Sequence, residues 1–342
     1  MKILFIGGTG NISAASVRRL IGQGHQVVLL NRGTRPPESY GIEGATTIQA
    51  DIHDETATAN SLNGQHYDVV VNCIAFNASD VERDVRLFAG RCAQYIFISS
   101  ASAYQKPLQQ FPITESTPLE NPYWDYSRQK IAAEAACMQA YHDSGFPVTI
   151  VRPSHTYETV IPVAIGGWNN FAIIERMRAG RPVLVHGDGT SLWTITHSED
   201  FAIGFTGLFG HPQAIGEAFH ITSDEVQSWN QIYDAVGRAA GVEQVNKVHV
   251  PSEYIARMVP GMRGGLLGDK AASAVFDNSK IKEFVPAYNA SIPFQEGICR
   301  TIEWIEAASG RKQVFEDANV MMDAVIETYL SAYNRLQPLH FK

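Results

Sequence analysis

Tyr126 and Lys130 stand four positions apart, so any helix that carries them presents both side chains on one face. A phenol titrating near about pH 10 is a poor base at neutrality, and an adjacent ammonium favours the phenolate and brings proton transfer within reach. Ser100 follows the apolar run Gln94 to Ser99 and could hold a substrate oxygen near that phenol through a hydrogen bond. A second constellation opens the chain. Ile3-Leu4-Phe5-Ile6-Gly7-Gly8-Thr9-Gly10-Asn11-Ile12-Ser13 reads as strand, glycine turn and helix start. Gly7 allows the tight turn, and Gly10 has no side chain to keep a pyrophosphate from the N–H groups of the next helix. Phosphates of a dinucleotide belong there, and beside a nicotinamide ring the tyrosine, lysine and serine would couple hydride transfer to proton transfer.

These groups need elements to position them. The helix expected from about Asn11 to Gln23 buries Ile12, Ala15, Val17, Leu20 and Ile21, and the strand Gln26 to Leu30 follows directly, which makes a βαβ start. The second strand ends at Asn31-Arg32-Gly33, where the adenosine ribose lies in dinucleotide folds. No acid stands there to bind a 2′-hydroxyl. Arg32, with Arg35 behind it, suits a 2′-phosphate, so NADP is favoured over NAD. Thr46 to Ala50 reads as a third strand with Asp51-Ile52 bordering the adenine, and Val69 to Ala75 as a fourth, with Ile74 and Ala75 at its ligand-facing end. A helix from about Ser79 to Cys92 leads to the fifth strand, Gln94 to Ser99. Pro122 opens the helix bearing Tyr126 and Lys130, and Phe146 to Val151 is the sixth strand. The alternation predicts an α/β fold, a Rossmann-like doubly wound parallel sheet with a smaller mixed α/β C-terminal substrate domain. Expected boundaries are 1–160 for the dinucleotide domain, with 190–225 returning to it, 161–189 and 226–314 for the cap, and 315–342 for a C-terminal helix.

Composition narrows the class. Hydrophobic residues at 45% and charged residues at 18% fit a packed globular chain, and no apolar run is long enough to cross a bilayer. The balance of 35 Asp plus Glu against 27 Lys plus Arg disfavours nucleic acid and anionic membrane as partners. Cys73, Cys92, Cys137 and Cys299 show no paired spacing, so no metal is expected; reduced thiols and a start without a leader suggest the cytoplasm.

Taken together, Gly7-Gly8-Thr9-Gly10-Asn11-Ile12, Ser99-Ser100-Ala101-Ser102-Ala103-Tyr104 and Tyr126-Ser127-Arg128-Gln129-Lys130 resemble the extended short-chain dehydrogenase/reductase family of NAD(P)-dependent epimerases, dehydratases and reductases. The resemblance implies that Tyr126 is the acid/base, that Lys130 binds the nicotinamide ribose and lowers the tyrosine pKa, and that Ser100 orients the substrate. It matches Asp51, Ile52, Ile74, Ala75, Ser99, Pro153, Ser154 and His155 to cofactor-lining positions, alongside Gly7, Thr9, Gly10, Asn11, Ile12, Asn31 and Arg32. Ser13 replaces the last glycine of the pattern, a change the fold is expected to tolerate. Ala101 and Ser102 stand where water-eliminating members place acids, which disfavours dehydration. Trp193 takes the place of an arginine that often grips a nucleotide-sugar diphosphate; it could stack on a sugar ring, with Arg263 as a compensating cation and Ser102 beside the substrate. The expected function is oxidation and reduction of a sugar-like hydroxyl or keto carbon, by an epimerase or a net reductase, on a sugar or nucleotide-sugar. The resemblance leaves the oligomeric state open, with a homodimer paired through the tyrosine helix and its neighbour as the arrangement it implies. The rival reading is a non-catalytic cofactor-binding sensor or an RNA-binding scaffold of the same fold.

Overall fold

The computed structural model describes residues 1–336. The chain divides into two compact units, the first comprising Met1–Glu158, Thr194–Glu225 and Ala274–Ile292, the second Thr159–Trp193, Val226–Ser273 and the chain from Pro293 onward.

Strand and helix alternate through the first unit: β1 (Lys2–Ile6), α1 (Ser13–Gly22), β2 (Gln26–Asn31), β3 (Thr46–Gln49), α2 (Glu55–Ser61), β4 (Tyr67–Asn72), α3 (Ala78–Phe88), β5 (Cys92–Ile98), α4 (Asp125–Ser144), β6 (Val148–Pro153) and β7 (His155–Tyr157). The second unit then takes α5 (Ala172–Arg178), β8 (Val183–His186) and β9 (Leu192–Trp193). The first resumes with β10 (Ile195–His197), α6 (Ser198–Gly207) and β11 (Ala218–Ile221). Further on lie β12 (Gln227–Ser228), α7 (Trp229–Ala239), β13 (Lys247–Val250), α8 (Ser252–Met258), α9 (Arg263–Gly265), α10 (Ser279–Phe284), α11 (Phe294–Glu306) and α12 (Glu316–Tyr333).

Seven parallel strands in the order β11-β6-β5-β4-β1-β2-β3 form the sheet of the first unit, the doubly wound arrangement the alternation implies. Both faces are covered, which is why its strands read as unbroken apolar runs. Ile3, Phe5, Val27, Leu29, Val69 and Val71 pack with Val17 and Leu20 of α1 and Phe201 and Phe205 of α6. Leu4, Ile6, Val28, Leu30 and Val70 pack on the other side with Val81 and Leu87 of α3 and Ala133 and Cys137 of α4. The order reverses between β1 and β4, so the loops after these two strands flank the crevice where a ligand approaches.

Some boundaries differ from the sequence reading for causes that periodicity does not register. β4 stops at Asn72 rather than Ala75, because the Asn72 side-chain oxygen Oδ1 accepts the Ile74 N–H at 2.8 Å and turns the chain. α3 stops at Phe88 rather than Cys92; Gly90 has φ +71° and β5 already starts at Cys92. Residues 274–292, read with the cap, lie in the first unit, where Ile113 N donates to Val275 O at 2.8 Å and Asn278 Nδ2 to Thr222 O at 2.8 Å.

In the second unit β8 pairs parallel with β13 and β9 antiparallel with β12. The indoles of Trp193 and Trp229 and His186 Nε2 converge on the Lys270 carbonyl at 3.0–3.1 Å. α12 is tied to α5 by Arg176, which reaches Asp323 and, at 3.3 Å, Asn319. Of the segment 315–342, residues 337–342 lie outside the described residues. No described helix is long and apolar enough to cross a membrane.

Candidate active site

The glycine turn sits between β1 and α1 with little room for side chains. Gly7 has φ +81°, and a Cβ there would stand 2.7 Å from Ile74 Cγ2; one on Gly8 would stand 2.6 Å from Leu29 Cδ2. Ser13 is a working part of this turn. Its hydroxyl accepts the Gly10 N–H at 2.9 Å and donates to Gly7 O at 2.9 Å, closing the loop on itself. α1 has no side-chain cap, so the positive end of its dipole faces an incoming anion.

From the turn a cleft of about 450 Å³ runs past Gly7, Thr9, Gly10, Asn31, Arg32, Asp51, Ile52 and Ile74, all singled out in the sequence. Thr34, Arg35, His53 and Phe76 also line it. Asn31 Nδ2 is buried there with no hydrogen-bond partner, the mark of a donor awaiting a ligand oxygen. Arg32 and Arg35 are exposed at this end and form no ion pair among the described residues. A narrow glycine cradle, an unused amide donor and two uncommitted guanidinium groups fit a dinucleotide. Phe76 and His53 escaped the sequence reading. Each lies one residue past a pair that was recognised, Ile74-Ala75 and Asp51-Ile52, and that adjacency was the available signal.

Tyr126 and Lys130 fall in the first two turns of α4. Lys130 is 2% exposed, and its ammonium donates to Ala75 O in the turn after β4 and to Ile98 O at the end of β5, both at 2.7 Å. The rings of Phe76, Phe97 and Tyr126 surround it, with centroids 4.8, 5.0 and 5.9 Å away. Burial pushes its pKa down to about 8, so the group is still charged at neutrality. Two N–H bonds are committed, and the third can serve a ligand. The rings of Phe76 and Trp124 pack near that of Tyr126, at centroid distances of 6.4 and 4.8 Å.

Ser100 stands two residues beyond Ile98, at the start of a 3-10 turn. Its hydroxyl accepts the Ser102 N–H at 3.2 Å and lies 2.9 Å from Ser102 Oγ, which itself accepts from Ser127 Oγ at 2.9 Å. Ser127 follows Tyr126 on α4, so this hydroxyl chain ties the serine turn to the tyrosine helix. When Ser102 donates on to Ser100, the Ser100 proton is left for an incoming oxygen.

Other expected residues are placed elsewhere. Asn11 gives its amide to Thr156 O at 2.7 Å and takes the Glu158 N–H at 2.9 Å, so its side chain clips the turn to β7. Ile12 packs on the core. The Ser99 hydroxyl donates to Glu134, which is paired with Arg152 in the interior. Pro153 ends β6 buried, Ser154 donates to Thr194 O at 3.2 Å, and His155 is 8% exposed on β7. Ser102 is buried as the middle of the hydroxyl chain. Trp193 is 2% exposed, its N–H spent on Lys270 O and Ala272 O and Lys270 Nζ 4.4 Å above its ring, so it is no open stacking platform. Arg263 is half-exposed and pairs with Glu253 at 3.6 Å.

Comparison with known proteins identifies the family and the fold. Residues 3–222 match the NAD dependent epimerase/dehydratase family. The 2′-dehydrokanamycin reductase of Streptomyces kanamyceticus is 25% identical over 288 residues, 84% of this chain and 80% of that protein. The chloroplast stem-loop binding protein of 41 kDa b of Arabidopsis thaliana is 27% identical over 266 residues, 74% and 67% of the two chains. The structure of UDP-glucuronic acid 4-epimerase from Bacillus cereus in complex with NAD superposes with a TM-score of 0.71 at 19% identity, covering 90% of this chain and 99% of that one. With a glycine turn, a seven-stranded parallel sheet and a family match over residues 3–222, the chain belongs to the NAD dependent epimerase/dehydratase family.

Proposed function

We propose that the protein is an NAD(P)-dependent oxidoreductase that reduces or epimerises a hydroxyl or keto carbon of a sugar-like substrate, with Tyr126 as acid/base. The observation that carries this reading is the buried Lys130 ammonium, held beside the Tyr126 ring by the carbonyls of Ala75, after β4, and Ile98, at the end of β5. Gly7 to Gly10 and the start of α1 would hold the pyrophosphate. Asn31, Arg32 and Arg35 would hold the adenosine ribose and a 2′-phosphate, Asp51 and Ile52 would border the adenine, and Ile74, Ala75 and Pro153 the nicotinamide. When bound, NAD(P) supplies the hydride carrier. Tyr126 gives its phenolic proton to a carbonyl oxygen on reduction and takes a hydroxyl proton on oxidation. The Lys130 charge favours phenolate, and its remaining N–H would serve a ribose hydroxyl of the bound cofactor. Ser100 donates to the same substrate oxygen and fixes it near the phenol.

Net reduction gains support from the relative named as a reductase of 2′-dehydrokanamycin, and epimerisation from the fold neighbour named as a 4-epimerase. The resemblance to a stem-loop binding protein supports a second reading as an RNA-binding scaffold, against which the net charge of -8 weighs. Purified protein supplied with keto sugars and NADPH or NADH should consume nucleotide in step with product if it is a reductase. Conversion without added nucleotide marks an epimerase. No turnover on any keto sugar or polyol, together with a salt-sensitive shift of structured RNA, would replace both with the scaffold.

A further inference from the structure

Lys130 is aimed by a carbonyl whose own direction is set from behind. The peptide between Ala75 and Phe76 is engaged at both ends: its C=O accepts from Lys130 Nζ at 2.7 Å and its N–H donates to Asp80 Oδ2 at 2.8 Å. In a trans peptide these two groups point in opposite directions, so gripping the N–H orients the C=O. Asp80 is 7% exposed and is fixed in turn by Arg83, whose Nη1 donates to Asp80 Oδ1 at 2.9 Å while its Nε and Nη2 hold Asp84 at 3.0 and 2.9 Å. Asp84 also accepts from Asn72 Nδ2, whose side-chain Oδ1 takes the Ile74 N–H, and from the Tyr95 hydroxyl at 2.6 Å. The turn between β4 and α3 is therefore set on two of its N–H groups by a buried polar network, and its outward product is one carbonyl on one ammonium.

We propose that Asp80 is a positioning residue for catalysis, directing the Ala75 carbonyl onto Lys130 through the single peptide plane they share. The proposal rests on the reading of Lys130 as the partner of Tyr126. A carboxylate on the N–H also draws charge toward the C=O and strengthens the bond that Lys130 makes. Asp80 is at the same time half of a capping box with Asn77, whose N–H reaches Asp80 at 3.4 Å and whose side chain accepts the Asp80 N–H at 3.0 Å. The test must separate capping from positioning. Charged and titratable groups acting on Lys130 are Asp80 on α3, Glu134 and Cys137 on α4 and Cys73 after β4, with the Tyr126 ring beside it; those on Asp80 are Arg83 and, through Arg83, Asp84 and His53.

The experiment labels the lysine ε-carbons of the full chain, assigns Lys130 by its loss in Lys130→Met, and follows that resonance against pH without cofactor or substrate. Asp80→Ala should move the Lys130 midpoint down by about one pH unit and Asp80→Asn, which keeps an acceptor, by less. Turnover of Asp80→Ala should fall about tenfold at pH 7 with substrate KM little changed. Asn77→Ala, which removes the other half of the cap, should lower the thermal midpoint and leave Lys130 in place. A Lys130 midpoint unmoved in folded Asp80→Ala, or moved as far by Asn77→Ala, overturns the proposal. If Asp80→Ala does not fold, Asp80→Asn decides by the same two outcomes. Because the resonance is read without turnover, its failure sinks the positioning role alone, whereas near-normal turnover in Tyr126→Phe sinks the catalytic reading alone.

Discussion

A lysine whose charged form is disfavoured by burial works against the fold that carries it. Its folded pKa of about 8 lies below the model-compound 10.5, so between those values the unfolded chain binds the extra proton and stability rises with pH. The penalty is complete below about pH 8 and relieved as pH approaches about 10.5. Relative to Lys130→Met, wild type should therefore gain about 2 kcal/mol between pH 7 and pH 10, a difference readable by urea titration of both proteins at each pH. Tyr126→Phe should lose about 10²- to 10⁴-fold in kcat with cofactor affinity within about twofold, measured by turnover and by cofactor fluorescence. At the far end of the cleft, Arg32→Ala combined with Arg35→Ala should raise the KM for NADPH about tenfold and leave NADH nearly unaffected. Equal effects on the two nucleotides would remove the 2′-phosphate from the assignment.

Elements matter here chiefly where they end. The turn from β1 to α1 owes its shape to Gly7 at positive φ and to Ser13, which spans Gly7 O and Gly10 N. Reverting Ser13 to glycine, the residue usual in related turns, removes both hydrogen bonds and adds backbone freedom at the head of α1. The outcome should be a loss of about 1–3 kcal/mol in unfolding free energy and weaker cofactor binding, measured by urea denaturation and calorimetric titration. An unchanged Kd would show that the anion is held without help from the closed turn. The end of β4 carries the same lesson, since a side chain on each flanking element, Asn72 and Asp80, shapes the turn that supplies Ile74, Ala75 and Phe76.

Across the first unit, buried charge joins segments distant in sequence. Glu134, one turn beyond Lys130 on α4, pairs with Arg152 on β6, with side chains 4% and 7% exposed. Arg152 reaches the Tyr104 hydroxyl at 3.2 Å, which lies 3.0 Å from His220 Nδ1 on β11, whose Nε2 meets Asp277 O at 2.7 Å. The chain of contacts anchors the returning segments 218–221 and 274–278 beneath the tyrosine helix. Arg152→Ala leaves a carboxylate buried without its partner and should cost about 3–5 kcal/mol in unfolding free energy, while Arg152→Met with Glu134→Leu should recover most of it. A single variant as stable as wild type, by denaturant melt, would mean water already reaches Glu134.

How much of this was legible depended on how local its cause is. The β1–glycine–α1 start, the strand alternation and the spacing of Tyr126 and Lys130 are set by side-chain period and by conformations only glycine adopts freely, and both act within a few residues. These could be read from the amino-acid order alone. Residues whose role is fixed by a partner far along the chain could not: Ser99 turns to Glu134, Trp193 is buried against Lys270, Asn11 clips to Thr156, and 274–292 joins the sheet unit. Phe76 and Asp80 gained their places only where the Asn72 side chain turns the chain after β4, and His53 where Asp51 turns the loop after β3. The order of residues determined which chemistry was present; packing decided which of those groups were free to perform it, because a hydrogen bond or a buried face once given to the fold is no longer available to a ligand.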